Sequence, residues 1–203
     1  MANDFEKRTN ESEGKMKIIG FIASSRKEGN TAWVVNKILE GAKRQGAETQ
    51  SWCFSDLDIK PCCGCSACKK GDKGCVINDD MQNIYTAFIN ANAIVLGSPV
   101  YMGQMSAQAK IFTDRLYACT SPRFSPYYKE NATKKKMVLV FTQGNPDPKL
   151  FQSYFDYTKN MFQVLEFDIK SVQVITGMRN EQAYERNDLH TSMNDIGSSL
   201  VLE

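Results

Sequence analysis

Short runs that are apolar at every position alternate along this chain with longer stretches whose apolar residues recur every three or four positions. Lys17 to Ala23 (KIIGFIA), Ala93 to Pro99 (AIVLGSP) and Lys136 to Thr142 (KMVLVFT) are of the first kind. Burial on both faces, which such runs need, is the mark of a central parallel strand. TQSWCFS, after Gly46, is weaker and predicts an edge strand; DIKSVQVIT (168–176) predicts the last strand. Val34, Val35, Ile38, Leu39 and Ala42 share one face of a helix predicted over 31–44. Met81, Ile84, Tyr85 and Phe88 do the same for a helix begun by Asp79 and Asp80, whose carboxylates suit the positive end of a helix dipole. Further helices are predicted over 106–118, 150–165 and part of 181–200.

Strands and helices that alternate in this way imply a parallel sheet with helices on both faces, because each right-handed crossover needs a helix to return the chain. The predicted fold class is α/β: a doubly wound five-stranded parallel sheet in the flavodoxin-like order 2-1-3-4-5. A ligand in such a sheet sits at the carboxyl ends of strands one, three and four. Residues 15–203 read as one domain, with no repeat or linker, and 1–14 (MANDFEKRTNESEG) read as a flexible leader.

Composition mainly excludes. A chain of 203 residues, 42% hydrophobic and 24% charged, can bury a core without disulfide staples. Its 25 Lys and Arg against 23 Asp and Glu leave too little charge excess to argue for a nucleic-acid or membrane-surface partner. No apolar run approaches the roughly 18 residues of a membrane span, and the polar N-terminus is unlike a signal peptide. The expected location is cytoplasmic.

The loop Ser24-Ser25-Arg26-Lys27-Glu28-Gly29-Asn30-Thr31 joins the first strand to the first helix. Free N–H groups and the dipole make a helix N-terminus an anion site. Ser24, Asn30 and Thr31 add short polar donors, and Arg26 a charged one. Neither GxGxxG nor GxxxxGK[ST] occurs. A polar turn ending in an Asn or Thr cap is the rival reading; its place after the first strand favours phosphate. After the third strand comes Gly97-Ser98-Pro99-Val100-Tyr101-Met102-Gly103-Gln104-Met105. Pro99 fixes the exit, Gly103 permits close backbone approach, and Tyr101 and Met102 offer an apolar wall for a flat ring, although such residues also serve as core. A phosphate site beside a flat apolar slot suggests FMN.

Seven cysteines are the unusual count, and five of them (Cys62, Cys63, Cys65, Cys68, Cys75) fall in a loop at about 57–78. In a reducing compartment such a cluster points to metal or redox chemistry rather than disulfides. Cys62-x2-Cys65-x2-Cys68-x6-Cys75 can wrap four thiolates around one [4Fe–4S] cluster. Zinc sites more often use two separated ligand pairs, and a loop of metal-free thiols is the third reading. Cys53 and Cys119 read as small hydrophobes.

SSRKEGNT, SPVYMGQMSAQAKIFTDRL and PCCGCSACKKGDKGCVINDDM resemble the NADPH-dependent FMN reductase family, and within it the iron–sulfur flavoproteins of anaerobes. The resemblance implies a flavodoxin-like fold that binds FMN, as a homodimer or homotetramer. It implies phosphate contacts from Ser24, Arg26, Asn30 and Thr31, and ring contacts from Pro99, Val100, Tyr101, Met102 and Gly103. Thr142 and Gly144 stand in a third loop, less rich in glycine than the family's. Ser25 stands where the family usually has proline, and Lys110 and Asp114 match a helix pattern read as structural.

Two functions follow as expectations. In one, electrons pass between FMN and a cluster on Cys62, Cys65, Cys68 and Cys75, with ferredoxin as a possible donor; in the other, a cluster-free enzyme uses NAD(P)H to reduce flavins or quinones. A flavin- or metal-binding module without turnover is a third reading. His190 reads as a surface or helix-end residue, and Lys134, Lys135 and Lys136 as a solvated strand entrance. Phe151, Tyr154, Phe155, Tyr157 and Phe162 read as core or subunit interface.

Overall fold

The computed structural model describes residues 14–70, 74–120 and 134–202. Apart from Gly14, the leader predicted over 1–14 lies outside them. In chain order the elements are β1 (Lys17–Ile22), α1 (Asn30–Arg44), β2 (Glu48–Cys53), α2 (Met81–Asn90), β3 (Ala93–Tyr101), β4 (Gln104–Met105), α3 (Ala107–Arg115), β5 (Lys136–Thr142), α4 (Gln152–Val164), β6 (Asp168–Ile175) and α5 (Asn187–Leu202).

The sheet runs β2-β1-β3-β5-β6, and every neighbouring pair along that path is parallel. This is the predicted order once the short β4 is set aside. The three runs that are apolar throughout are the three inner strands, as both-face burial requires. On one face Phe21, Ile94, Leu96, Leu139 and Phe141 pack with Ile84, Tyr85, Phe88, Phe112, Phe155 and Phe162. Alternate strand residues, among them Ile18, Ile22, Val95, Val138 and Val140, meet Val34, Val35, Ile38, Leu189 and Met193 on the other face.

The segment after β3 corrects the sequence expectation. VYMGQM is no loop: β3 continues to Tyr101, turns through Met102 and Gly103, and pairs Tyr101 with Gln104 and Val100 with Met105. Met102 (φ 50) and Gly103 (φ 81) are both left-handed, the backbone of a two-residue hairpin turn. A methionine seldom adopts positive φ, so local pattern did not signal the turn. The helix predicted to Ala118 ends at Arg115 and passes into a 3-10 turn, Leu116–Cys119.

The Lys134–Lys136 run is also more than a solvated entrance. Lys135 donates to the Ile89 and Ala91 carbonyls at 3.0 and 2.6 Å, capping α2, and Lys136 donates to the Leu200 carbonyl at 2.9 Å, capping α5. Cations at helix C-termini satisfy orphan carbonyls and the dipole together. His190, in α5, meets the Trp33 ring edge-on at 4.7 Å.

Helices α1 and α5 cross closely enough to need glycine. A Cβ on Gly197 would overlap the Ile38 carbonyl oxygen and lie 2.8 Å from the Ala42 nitrogen. Gly197→Ala must therefore push the two helix backbones apart, and the expected loss is about 1–3 kcal/mol, the usual cost of overpacking. Urea unfolding of the two proteins measures it; equal midpoints would show that the helix pair separates freely.

Candidate functional site

The carboxyl ends of β1, β3 and β5 are stitched together by short polar side chains. Ser106 caps α3, accepting from the Ala109 N–H at 3.2 Å, and donates its hydroxyl to the Ala23 carbonyl at 2.7 Å. Ser98 accepts from the Ser106 N–H at 2.9 Å and donates to the Pro99 carbonyl at 2.9 Å. The hydroxyls of Thr31 and Thr142 share a hydrogen bond of 2.7 Å across 111 residues of sequence. Ser24, Ser98, Thr31 and Thr142 are all buried.

Within the first loop, Ser24 Oγ accepts from the Arg26 N–H at 3.1 Å, while Arg26 itself is exposed. The helix cap is Gly29, and no side chain caps the first turn. The Asn or Thr cap of the rival reading is thus absent, and the first-turn N–H groups of α1 keep their capacity to bind an anion. Asn30 is engaged at both ends of its amide: Nδ2 donates to Gln182 Oε1 at 3.0 Å, and Oδ1 accepts from the Ala183 N–H at 2.7 Å. These bonds span more than 150 residues of sequence, and the sequence carried no signal for them.

In the second loop Pro99 is buried, Val100 half-buried, and the hairpin turns Tyr101 and Met102 outward, Met102 fully exposed. Behind Gly103 stands Phe151, whose ring a Cβ there would meet at 3.2 Å. In the third loop Gly144 lies under Arg179, 2.8 Å from where a Cβ would stand. Sequence reasoning missed Gln143. It is buried; Nε2 donates to the Asn145 and Asp147 carbonyls, and Oε1 has no hydrogen-bond partner among the described residues.

The cysteine loop leaves the carboxyl end of β2 and returns into α2. Gly64, Ser66 and Gly74 have left-handed backbone within it. Cys62, Cys63 and Cys65 are exposed; Cys68 and Cys75 are half-buried against the core. A hydrogen bond from the Ala67 N–H, with a second from Cys63, holds the Cys65 thiol below its ordinary value. Burial pushes the Cys68 thiol up against the Lys69 ammonium, and the neighbouring Cys75 and Cys62 push it the same way as burial. Burial likewise pushes Cys119 up to about 12. All of the cysteines are free, and among the described residues no three ligating side chains are grouped as a closed metal site.

The sequence pattern of NADPH-dependent FMN reductases matches residues 16–151, from before β1 to the start of α4. The chain belongs to this family. The chain is similar to an iron–sulfur flavoprotein of Methanosarcina thermophila, 42% identical over 142 residues, 70% of this chain and 72% of that protein. An iron–sulfur flavoprotein of Methanocaldococcus jannaschii is 43% identical over 100 residues, 49% of this chain, and there the chain spans about half (51%) of the relative. The NAD(P)H:quinone oxidoreductase from Methanothermobacter marburgensis superposes with a TM-score of 0.70 at 13% identity, over 92% of this chain and 98% of that one. An FMN-dependent NADH-azoreductase from Bacillus anthracis gives 0.64 at 14%, over 92% and 99%. At such identities the structures establish a shared fold.

The family's cofactor can be weighed against these residues. An uncapped helix start beside Ser24 and Arg26 suits a phosphate, and the unpaired, buried Gln143 Oε1 suits a polar ligand edge. For a cluster the donor chemistry fits: four thiols on one loop, with Cys68 in electrostatic reach of both Cys75 and Cys62. No helix is long and apolar enough to cross a membrane among the described residues.

Proposed function

We propose that this chain is a cytoplasmic flavin-dependent oxidoreductase that binds FMN at the tips of β1, β3 and β5 and a [4Fe–4S] cluster on Cys62, Cys65, Cys68 and Cys75. The flavin exchanges one or two electrons and the cluster one at a time, and the protein supplies binding, orientation and electrostatics. The α1 N-terminus with Ser24, Arg26, Asn30 and Thr31 holds the phosphate; Asn30 also ties this loop to 182–183. Pro99, Val100, Tyr101, Met102 and Gly103 would flank the ring, and Thr142 and Gly144 would contribute from the third loop. NAD(P)H, a quinone or ferredoxin is the exchange partner, and the working unit is a homodimer or homotetramer.

The observation that carries this reading is the spacing of the four cysteines on a single loop, in a chain whose family binds flavin. The family description, NADPH-dependent FMN reductase, favours the alternative, a cluster-free NAD(P)H-dependent FMN or quinone reductase. Iron and acid-labile sulfide in anaerobically purified protein decide between them. The expected result is about four of each per chain, lost in Cys68→Ser while FMN is retained. Iron-free parent protein whose flavin is bleached rapidly by NADPH would establish the alternative.

A further inference from the structure

The neck of the cysteine loop is closed by a buried ion pair. Arg115, at the end of α3, and Asp79, just before α2, have side chains 1% and 0% exposed. Arg115 Nη1 and Nη2 meet Asp79 Oδ2 and Oδ1 at 2.5 and 3.1 Å, and Nη1 also donates to the Lys60 carbonyl at 2.8 Å. Asp79 Oδ2 in turn accepts from the Lys60 N–H at 2.9 Å. Both backbone groups of Lys60 are therefore held by the pair. Tyr85 completes the arrangement, its hydroxyl donating to the Arg115 carbonyl at 2.9 Å and accepting from Arg115 Nε at 3.3 Å.

Lys60 lies two residues before Cys62, and Asp79 four residues after Cys75. The clasp thus joins the chain where it enters the four-cysteine segment to the chain where it leaves. Gln82 extends the hold, donating through Nε2 to the Cys75 and Ile77 carbonyls at 2.9 and 2.7 Å. At the other end of α3, nine residues long, Ser106 is bonded to the tip of β1. One rigid helix, about 13 Å long, connects the two candidate sites.

We propose that Arg115 is a positioning residue for the cluster: by clasping Lys60 to Asp79 it sets the span across which Cys62 and Cys75 converge. The inference rests on the cluster reading above. A buried ion pair seldom adds net stability over apolar packing of equal volume, so energy alone does not explain its presence. The guanidinium fork explains it better, since it bonds a carboxylate and a backbone carbonyl at fixed angles, which an ammonium cannot do. Altering residues that hydrogen-bond metal ligands commonly changes metal affinity 10- to 100-fold, and a clasp that fixes the spacing of two ligands is expected to act on the same scale.

The test compares the parent with Asp79→Asn/Arg115→Gln, a neutral pair free of an unpaired buried charge, in which the side chain at 115 is too short to reach the Lys60 carbonyl. Arg115→Lys serves as the conservative variant, should the double variant fail to fold. Each is reconstituted anaerobically with iron and sulfide, and FMN per chain, iron per chain and the rate of iron release to a chelator are measured. The expected result is unchanged FMN, with iron release about tenfold faster or more in the double variant and intermediate in Arg115→Lys. Equal iron retention in parent and folded variants would overturn the role of Arg115 and leave the cluster in place. A parent that takes up no iron would overturn the cluster reading and this inference with it.

Discussion

Arg115→Met is expected to cost about 3–5 kcal/mol, because it strands the buried Asp79 carboxylate without its counter-charge. For a chain of this size that lowers the melting temperature by about 10 °C. The pH dependence should change as well. In the parent, burial pushes Asp79 up, but the Arg115 guanidinium and the N–H groups of Lys60 and Met81 outweigh it and leave the net shift downward. A depressed carboxylate adds stability that is fully present above its ordinary value and is lost as pH falls through the lowered one. Without Arg115 burial dominates and Asp79 moves up, so its contribution reverses, and stability declines as pH rises through the raised value. Urea unfolding from pH 2 to 8 reads both effects. Parallel stability curves for parent and variant would show that Asp79 is not confined as described.

The second large effect is expected at Gly97, where α1 lies almost directly on β3. A Cβ there would overlap Val35 Cγ2 and stand 3.0 Å from Thr31 Cγ2. Gly97→Val must therefore lift the start of α1, carrying Thr31 off Thr142 and displacing the first-turn N–H groups. Overpacking of this kind costs about 1–3 kcal/mol. Directed at the phosphate loop, the same energy weakens FMN binding by about 10- to 100-fold. Titration of the apoprotein by quenching of FMN fluorescence measures the loss. Gly197→Ala is the control, since its strain falls on the α1–α5 crossing, away from the proposed ring and phosphate contacts. If the two variants bound FMN alike, the uncapped turn of α1 would not be the phosphate site.

Much of the architecture was legible because hydrophobic periodicity reports which faces are buried. The runs at 17–23, 93–99 and 136–142 are apolar throughout and became the three inner strands, while the more mixed β2 and β6 became the edges. Boundaries set by local dihedrals were less legible. Nothing in VYMGQM marks Met102 as left-handed, and pairing of Val100 and Tyr101 with β4 stabilises a turn that propensity alone disfavours. The candidate site was only partly legible. The cysteine spacing and the polar loop after β1 stand out in one dimension, because they are local in sequence.

Other features depend on distant partners. Asn30 resembles a helix cap until Gln182 and Ala183 engage its amide, and the lysines before β5 resemble a solvated run until the ends of α2 and α5 arrive beside them. Gln143 gave no signal at all. The sequence by itself determined the alternation of strand and helix, hence the doubly wound sheet, together with the number and spacing of thiols on one loop. Only the tertiary structure decided that Arg115 and Asp79, 36 residues apart, close the neck of that loop, and that Thr31 meets Thr142. Periodicity records whether a side chain is buried, whereas the identity of its partner follows from the order in which the strands assemble.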